Sequence, residues 1–274
     1  MAEQSLGGPA GEPGRDPLDT GVAHVARVYN YWLGGSTYFA ADQEAAEQAM
    51  AAYPDLAQSV RANRAFLART VRWLAREQDI RQFLDIGTGI PAADNTHEVA
   101  QAVAPESRVV YADHDPIVLA HARSLLASAD AGDTDYLEAD LREPGKIVAA
   151  AARTLDFSQP VAVVLMAVLQ FLNEEGEAQQ VVGELLGSVA SGSYLVVSHP
   201  ASDIDAESMK LMAGRLNRLM VQRVTLRRHA EVAAFFEGLE LVPPGVVRIP
   251  EWRPDAPEDV TTPATMWGGV GRKP

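Results

Sequence analysis

From Gln82 onward, short runs of apolar and β-branched residues alternate with longer stretches of helical spacing, and this alternation limits the fold more than any other feature of the chain. Strands are expected at 82–86, 108–113, 134–139, 161–167 and 193–199, with helices near 94–103, 116–128, 144–152 and 174–189 between them. Strand–helix–strand repeats of this length place the strands parallel in one sheet, joined by right-handed crossovers. The run Val161 to Ala167 is continuously apolar, as a strand covered on both faces requires. Two more strands are expected at 239–249 and 264–272. About 14 residues join them, Pro250, Pro254, Pro257 and Pro263 among these, which is too short and too proline-rich for a helical crossover. The expected class is therefore α/β, with a seven-stranded, mostly parallel sheet whose last strand is antiparallel.

The segment before the sheet reads differently. Residues 1–19 are rich in Gly and Pro with little to bury, and are expected to be a disordered tail. Residues 20–78 are expected to form a helical N-terminal cap region. Val22, Val25, Val28, Tyr29, Trp32 and Leu33 share one helix face, and Gly34-Gly35 stops the helix. A second helix starts near Asp42, and a third, after Pro54-Asp55, aligns Leu56, Val60, Leu67, Val71 and Leu74, with the amide of Asn63 in the same stripe. Residues 79–274 then form the sheet domain. The chain has no cysteine, so disulfides, thiolate metal sites and cysteine nucleophiles are excluded together. No export signal is expected, and no apolar run reaches the ~18–20 residues a membrane helix needs, so the expected location is the cytoplasm.

In an open parallel sheet, ligands bind beyond the carboxyl ends of the strands. The first strand ends in Asp85-Ile86-Gly87-Thr88-Gly89. Taken alone the run is ambiguous, because Gly87, Gly89 and Ala92 also satisfy the spacing of a dinucleotide fingerprint. A pyrophosphate, however, would meet the Asp85 carboxylate two residues before the first glycine. An acid there suits the cationic amino end of S-adenosylmethionine (SAM) better. The second strand ends in Asp113, 24 residues after Gly89, where a carboxylate can accept both ribose hydroxyls. His114 follows it, and Asp115, just before Pro116, reads first as a helix N-cap. The third strand ends near Asp140 and Leu141, an acid and an amide placed for adenine. Acids at three successive strand tips carry the reading of a SAM site.

Met166, Ala167 and Gln170 follow the fourth strand and are expected on the methyl side; Gln170 and His199, at the fifth strand's end, are the catalytic candidates. The turn Gly34 to Phe39 is expected to act as a lid, bringing Tyr31 and Tyr38, with Asn63, over the cofactor. His24 and His121 fit no ligand pattern, and no metal site is expected. The net charge of −14, from 23 basic and 37 acidic residues, disfavours a nucleic-acid partner, and the cluster Arg223, Arg227 and Arg228 reads as a solvated helix face.

These residues resemble a known family. Ala26 to Gly35, Arg61 to Leu67, Gln82 to Gly89, Asn95 to Gln101, the Asp113 segment, Leu195 to His199 and Gly268 to Pro274 are similar to the actinobacterial SAM-dependent methyltransferases long classed as a domain of unknown function. The resemblance spans about residues 20–274. It implies a Rossmann-like methyltransferase fold, SAM as cofactor and a family-specific helical N-terminus, and it supplies no acceptor or oligomeric state. Asn30 stands where the family pattern leads one to expect Asp, and Gln170 where it leads one to expect His. An amide cannot take up a proton near neutral pH, so Gln170 cannot serve as a base. The expected function is methyl transfer to an unidentified small-molecule acceptor. The alternatives are a SAM-binding regulator without turnover and a nicotinamide oxidoreductase.

Overall fold

The computed structural model describes residues 20–126 and 134–274; the tail expected over 1–19 and the last residues of the helix expected to reach 128 lie outside the described residues. Three helices come first: α1 (Val25–Trp32), α2 (Ala40–Met50) and α3 (Leu56–Glu77). Five parallel strands then alternate with helices: β1 (Gln82–Ile86), α4 (Thr96–Val103), β2 (Arg108–Asp113), α5 (Pro116–Leu126), β3 (Thr134–Glu138), α6 (Pro144–Ala151), β4 (Ala162–Met166), α7 (Glu177–Gly187) and β5 (Tyr194–Pro200). After these come α8 (Ala206–Leu219), α9 (His229–Ala233), β6 (Glu240–Leu241), β7 (Val247–Arg248) and β8 (Met266–Arg272).

The sheet runs β3-β2-β1-β4-β5-β8-β6, with β7 also paired to β8. β1 to β5 are parallel, whereas β8 is antiparallel to β5, β6 and β7. The order reverses between β1 and β4, so the crevice at their carboxyl ends is the switch point where a ligand is expected. The antiparallel closure agrees with the sequence reading. The single strand expected at 239–249 does not form; it is split into β6 and β7, giving eight strands rather than seven. Pro243 and Pro244 have no N–H to donate, and a turn follows in which Gly245, at φ +94°, donates to the Val242 carbonyl.

Each face of the sheet has its own core. On one, Phe66, Val71 and Leu74 of α3 pack against Phe83, Val109, Val164 and Val196. On the other, Ile147 of α6 and Val181 and Leu185 of α7 cover Leu84, Val110 and Leu165. A third cluster lies apart from both and joins Val28 and Trp32 of α1, Ala45 and Ala49 of α2, and Leu56 and Val60 of α3 to Met209, Met212 and Leu216 of α8. Asp42 holds the first two helices together. Fully buried, its carboxylate accepts from the His24 amide (2.8 Å), the Phe39 amide (2.8 Å) and Arg27 Nε (2.7 Å). A charge so deeply buried is stable only when paired and fully hydrogen-bonded, as this one is.

The helical cluster is thus closed by α8, an element placed between β5 and β6. The spacing Met209, Met212, Ala213 and Leu216 is the signal that reveals it. The basic run behind α8 is not a helix, and Arg227 does not sit on a solvated face. Arg227 is 8% exposed and donates to the carbonyls of Leu169 (2.9 Å) and Leu172 (2.9 Å).

Candidate functional site

A cavity opens at the carboxyl ends of β1, β2 and β4, beneath α1, α3 and α8. Its floor is the strand-to-helix turn after β1. Gly87 and Gly89 adopt φ +75° and +66°, a region where a side chain costs energy. Gly87 is also cramped, since an added Cβ would overlap the Val168 side chain and lie 2.7 Å from its Cβ. The turn is fastened to the next strand, with the Gly87 amide donating to the Ala112 carbonyl (2.8 Å) and the Gly89 amide to Asp113 Oδ2 (3.0 Å). Asp113 Oδ1 accepts from the Asp115 amide (3.0 Å). Burial pushes the Asp113 carboxyl above its usual range, against the pull of these two amides.

Asp85 is buried beside them. Thr96 Oγ1, the first residue of α4, donates to Asp85 Oδ2 at 2.6 Å. Burial raises the Asp85 carboxyl to about 6, while the Thr96 hydrogen bond and the Arg64 charge oppose the rise. Arg64 lines the same end of the cavity. Its Nη2 donates to the carbonyls of Ala93 (2.9 Å) and Asp94 (3.1 Å) and to Asn95 Oδ1 (3.2 Å). Arg64 Nε is buried with no partner among the described residues.

Asn63 Nδ2 donates to the hydroxyl of Tyr29 at 3.0 Å, and Asn63 Oδ1 is buried with no partner among the described residues. Gln170 Oε1 is likewise unpartnered. Ala167, at the tip of β4, sits at φ +48° and is held there by its amide donating to Ser198 (Oγ, 3.1 Å). A non-glycine residue in this region costs conformational energy and stays there only because its surroundings hold it.

The structure therefore gathers Asp85, Gly87, Thr88, Gly89, Asp113, His114, Met166, Ala167, Gln170 and Asn63 around one cavity. It leaves five expected residues outside the lining. Asp140 is 38% exposed and accepts from the Arg142 amide (2.9 Å), while Leu141 is buried in the sheet core. Tyr31 and Tyr38 pack edge to face on the outer side of α1, where the Tyr31 hydroxyl donates to Glu47 (3.0 Å). The helix period explains this, because Val25, Val28, Tyr29 and Trp32 share the inner face and Tyr31 points away from it. The lid expected of the Gly34–Phe39 turn is instead a fastened turn, with Asn30 Oδ1 accepting from the Thr37 amide (3.0 Å). His199 is fully buried, with Nδ1 at 2.9 Å from the Pro200 carbonyl and Nε2 accepting from Arg227 Nη1 at 2.7 Å. Burial, with the Arg227 charge, lowers it to about 3, and this removes His199 from the candidate bases.

Sequence reasoning missed Arg64, Tyr29 and the methionines of α8. Asp115 does cap α5, accepting from the Ile117 amide (2.8 Å), and its other oxygen lies 2.9 Å from His24 Nδ1. Among the described residues, no cluster of His, Cys, Asp and Glu could hold a metal ion.

A parallel sheet reversed between β1 and β4, closed by an antiparallel strand, with acids and glycines at the strand tips, defines the SAM-dependent methyltransferase class. The S-adenosyl methyltransferase family model matches residues 11–274, and the chain belongs to this family. It is similar to a domain-of-unknown-function family protein from Streptomyces avermitilis, at 45% identity and TM-score 0.89, covering 93% of this chain and 99% of that one. It is also similar to a candidate methyltransferase from Thermobifida fusca, at 38% identity and TM-score 0.86, covering 94% of this chain and 97% of that one. A mitomycin 7-O-methyltransferase, 14% identical with a TM-score of 0.54 over 95% of this chain and 74% of its own, shares the fold. No curated protein matches the chain. The chain is a SAM-dependent methyltransferase, and its cofactor is SAM.

Proposed function

We propose that this enzyme moves the methyl group of SAM to a small-molecule acceptor inside the cavity, with the cofactor laid across the tips of β3, β2, β1 and β4 in that order. Bound there, SAM supplies a methyl group already activated by its sulfonium, so the protein's work is alignment and exclusion of water. Asp113 and His114 take the ribose, and Asp140 with the Leu141 amide stands at the neighbouring tip for the adenine. The positive-φ turn Gly87-Thr88-Gly89 lets the backbone approach the methionine end. Met166, Ala167 and Gln170 line the methyl side. Residues 20–78, together with α8, cap the site. A chain without cysteines or a membrane-spanning helix among its described residues suits the cytoplasm.

One observation carries the cofactor assignment. Among the described residues lining the cavity, Arg64 is the single Lys or Arg, and it lies at the Asp85 end without a carboxylate within 4.0 Å. An α-amino acid is a zwitterion and needs one anion and one cation. Asp85 answers its ammonium and Arg64 its carboxylate, a pairing that guanidinium geometry favours.

The test is calorimetry with S-adenosylhomocysteine (SAH) and with 5′-methylthioadenosine, which lacks the amino-acid end. Arg64→Gln is expected to weaken SAH about 10-fold or more, as for loss of a charge-assisted hydrogen bond. Methylthioadenosine should change by less than about twofold. Equal losses for the two ligands would assign Arg64 to the fold rather than to the cofactor.

A further inference from the structure

Away from the strand tips the cavity changes character. Five of the chain's seven methionines line it: Met166, Met209, Met212, Met220 and Met266. Three of them belong to α8 or its C-terminal cap, and they face Trp32, Leu56 and Val60 across the opening. Unbranched, polarizable side chains adapt to the shape of what they touch and make favourable contacts with aromatic rings. The α8 methionines are also part of the buried cluster with α1, α2 and α3, so they serve packing and cavity wall together. Three methionines on the α8 side and two at the ends of β4 and β8 give the cavity an adaptable apolar lining suited to a ligand.

The charges narrow the ligand further. Arg64, the only cationic Lys or Arg side chain of the lining among the described residues, is tied to the loop after β1 and to the cofactor end. An anionic acceptor would therefore meet the carboxylates of Asp85 and Asp113 with no second Lys or Arg among the described lining residues to answer it, and desolvating an unpaired carboxylate is expensive. A cationic acceptor would share a closed space with a sulfonium. An uncharged acceptor avoids both penalties.

A polar anchor is also present. Gln170 is 8% exposed, and its Oε1 has no partner among the described residues. Its backbone is fixed, because it lies in the turn 169–171 behind β4 and its carbonyl accepts from the Thr225 amide at 2.9 Å. Leaving a buried acceptor unpaired is costly, and a donor on a ligand recovers that cost. The neighbouring turn also carries Ala167 at φ +48°, so the backbone beside this amide is held under constraint.

We propose that the methyl acceptor is an uncharged, largely apolar, flat molecule carrying an N–H or O–H donor, seated against the methionines of α8 with Gln170 as its polar anchor. This rests on the cofactor reading above, which places the methyl group beside Met166 and Gln170.

The experiment uses the full chain saturated with SAH, titrated by calorimetry with 2-naphthol, indole, naphthalene, 2-naphthoate and indole-3-carboxylate. Indole and 2-naphthol are expected to bind, and each carboxylate to bind at least about tenfold more weakly than its neutral counterpart. 2-Naphthol should bind about fivefold tighter than naphthalene, the gain of one neutral hydrogen bond to a buried acceptor. Gln170→Leu should erase that gain and leave naphthalene affinity within about twofold. Carboxylates that bind as tightly as the neutral probes, a naphthol preference that survives Gln170→Leu, or no binding of either neutral donor would each overturn the proposal. SAH that fails to bind would instead sink the cofactor reading, and this proposal with it.

Discussion

Gly87→Ala tests the floor of the site most sharply, because its cost can be divided into two independent parts. Gly87 lies at φ +75°, where an L-residue pays about 1–2 kcal/mol. The added methyl would also overlap Val168, which stands over the turn after β4, and an overpacked contact of this kind costs about 1–3 kcal/mol. The expected destabilisation is then about 2–5 kcal/mol, measured by urea unfolding of the ligand-free protein. Truncating Val168 to Ala makes room for the methyl but does nothing for the backbone. In the Val168→Ala background, Gly87→Ala should therefore cost only the conformational part, about 1–2 kcal/mol, and the cycle should show a coupling of about 1–3 kcal/mol. SAH affinity should fall in both backgrounds, because a residue other than glycine at φ +75° shifts the turn that lets the backbone approach the ligand. A Gly87→Ala protein within about 0.5 kcal/mol of wild type would refute the reasoning, as would a cost that ignores Val168.

Four further outcomes follow from the site's titrations and hydrogen bonds. With its carboxyl raised to about 6 by burial, Asp85 binds a proton more readily in the folded chain than in the unfolded one, so its own contribution, about 3 kcal/mol, should be lost as pH rises from about 4 to 6 and appear as the difference between the stability–pH curves of the ligand-free wild type and Asp85→Asn; parallel curves would contradict this. The same carboxyl should give up a proton when an ammonium docks beside it, so calorimetry of SAH near pH 6 in two buffers of different ionisation enthalpy should show net proton release. His199→Asn should leave the pH profile of turnover unmoved between pH 5 and 9, yet cost about 1–3 kcal/mol of stability, because the Arg227 donor loses its buried partner; a profile shifted by a unit would restore His199 as a base. Asp113→Asn keeps the shape but can accept only at one atom where two amides now donate, so SAH binding should weaken at least about tenfold, while an unchanged affinity would remove Asp113 from the ribose site.

Much of this was legible in the residues because parallel strands buried on both faces leave a strong local mark. The apolar runs at Gln82–Ile86 and Val161–Met166 and the proline-rich connection before β8 each carry their topology in a few positions. The acids at β1 and β2 were legible too, since a strand tip fixes which edge a residue faces. What stayed hidden depends on rotation about a helix or on distant packing. Tyr31 and Tyr29 are two residues apart, and only the docking of α1 against α3 shows that Tyr29 faces the cavity while Tyr31 pairs with Tyr38 outside. His199 ends a strand at the ligand edge, as the sequence suggests, but its ring nitrogens are claimed by Pro200 and by an arginine 28 residues further on. Arg64 carries no local sign of its role, because the loop and the carboxylate that frame it come from β1 and α4. α8 shows its apolar spacing locally, but nothing near it in the chain says that this face packs back on α1, α2 and α3.

Everything proposed here depends on a SAM site at the carboxyl ends of β1, β2 and β4 with its amino-acid end held between Asp85 and Arg64. Calorimetric titration of the wild-type chain with SAH at pH 7.5, set against 5′-methylthioadenosine, tests it most directly. One SAH is expected to bind per chain, at least about tenfold tighter than methylthioadenosine. No measurable heat with SAH, or equal affinity for the two ligands, would contradict it.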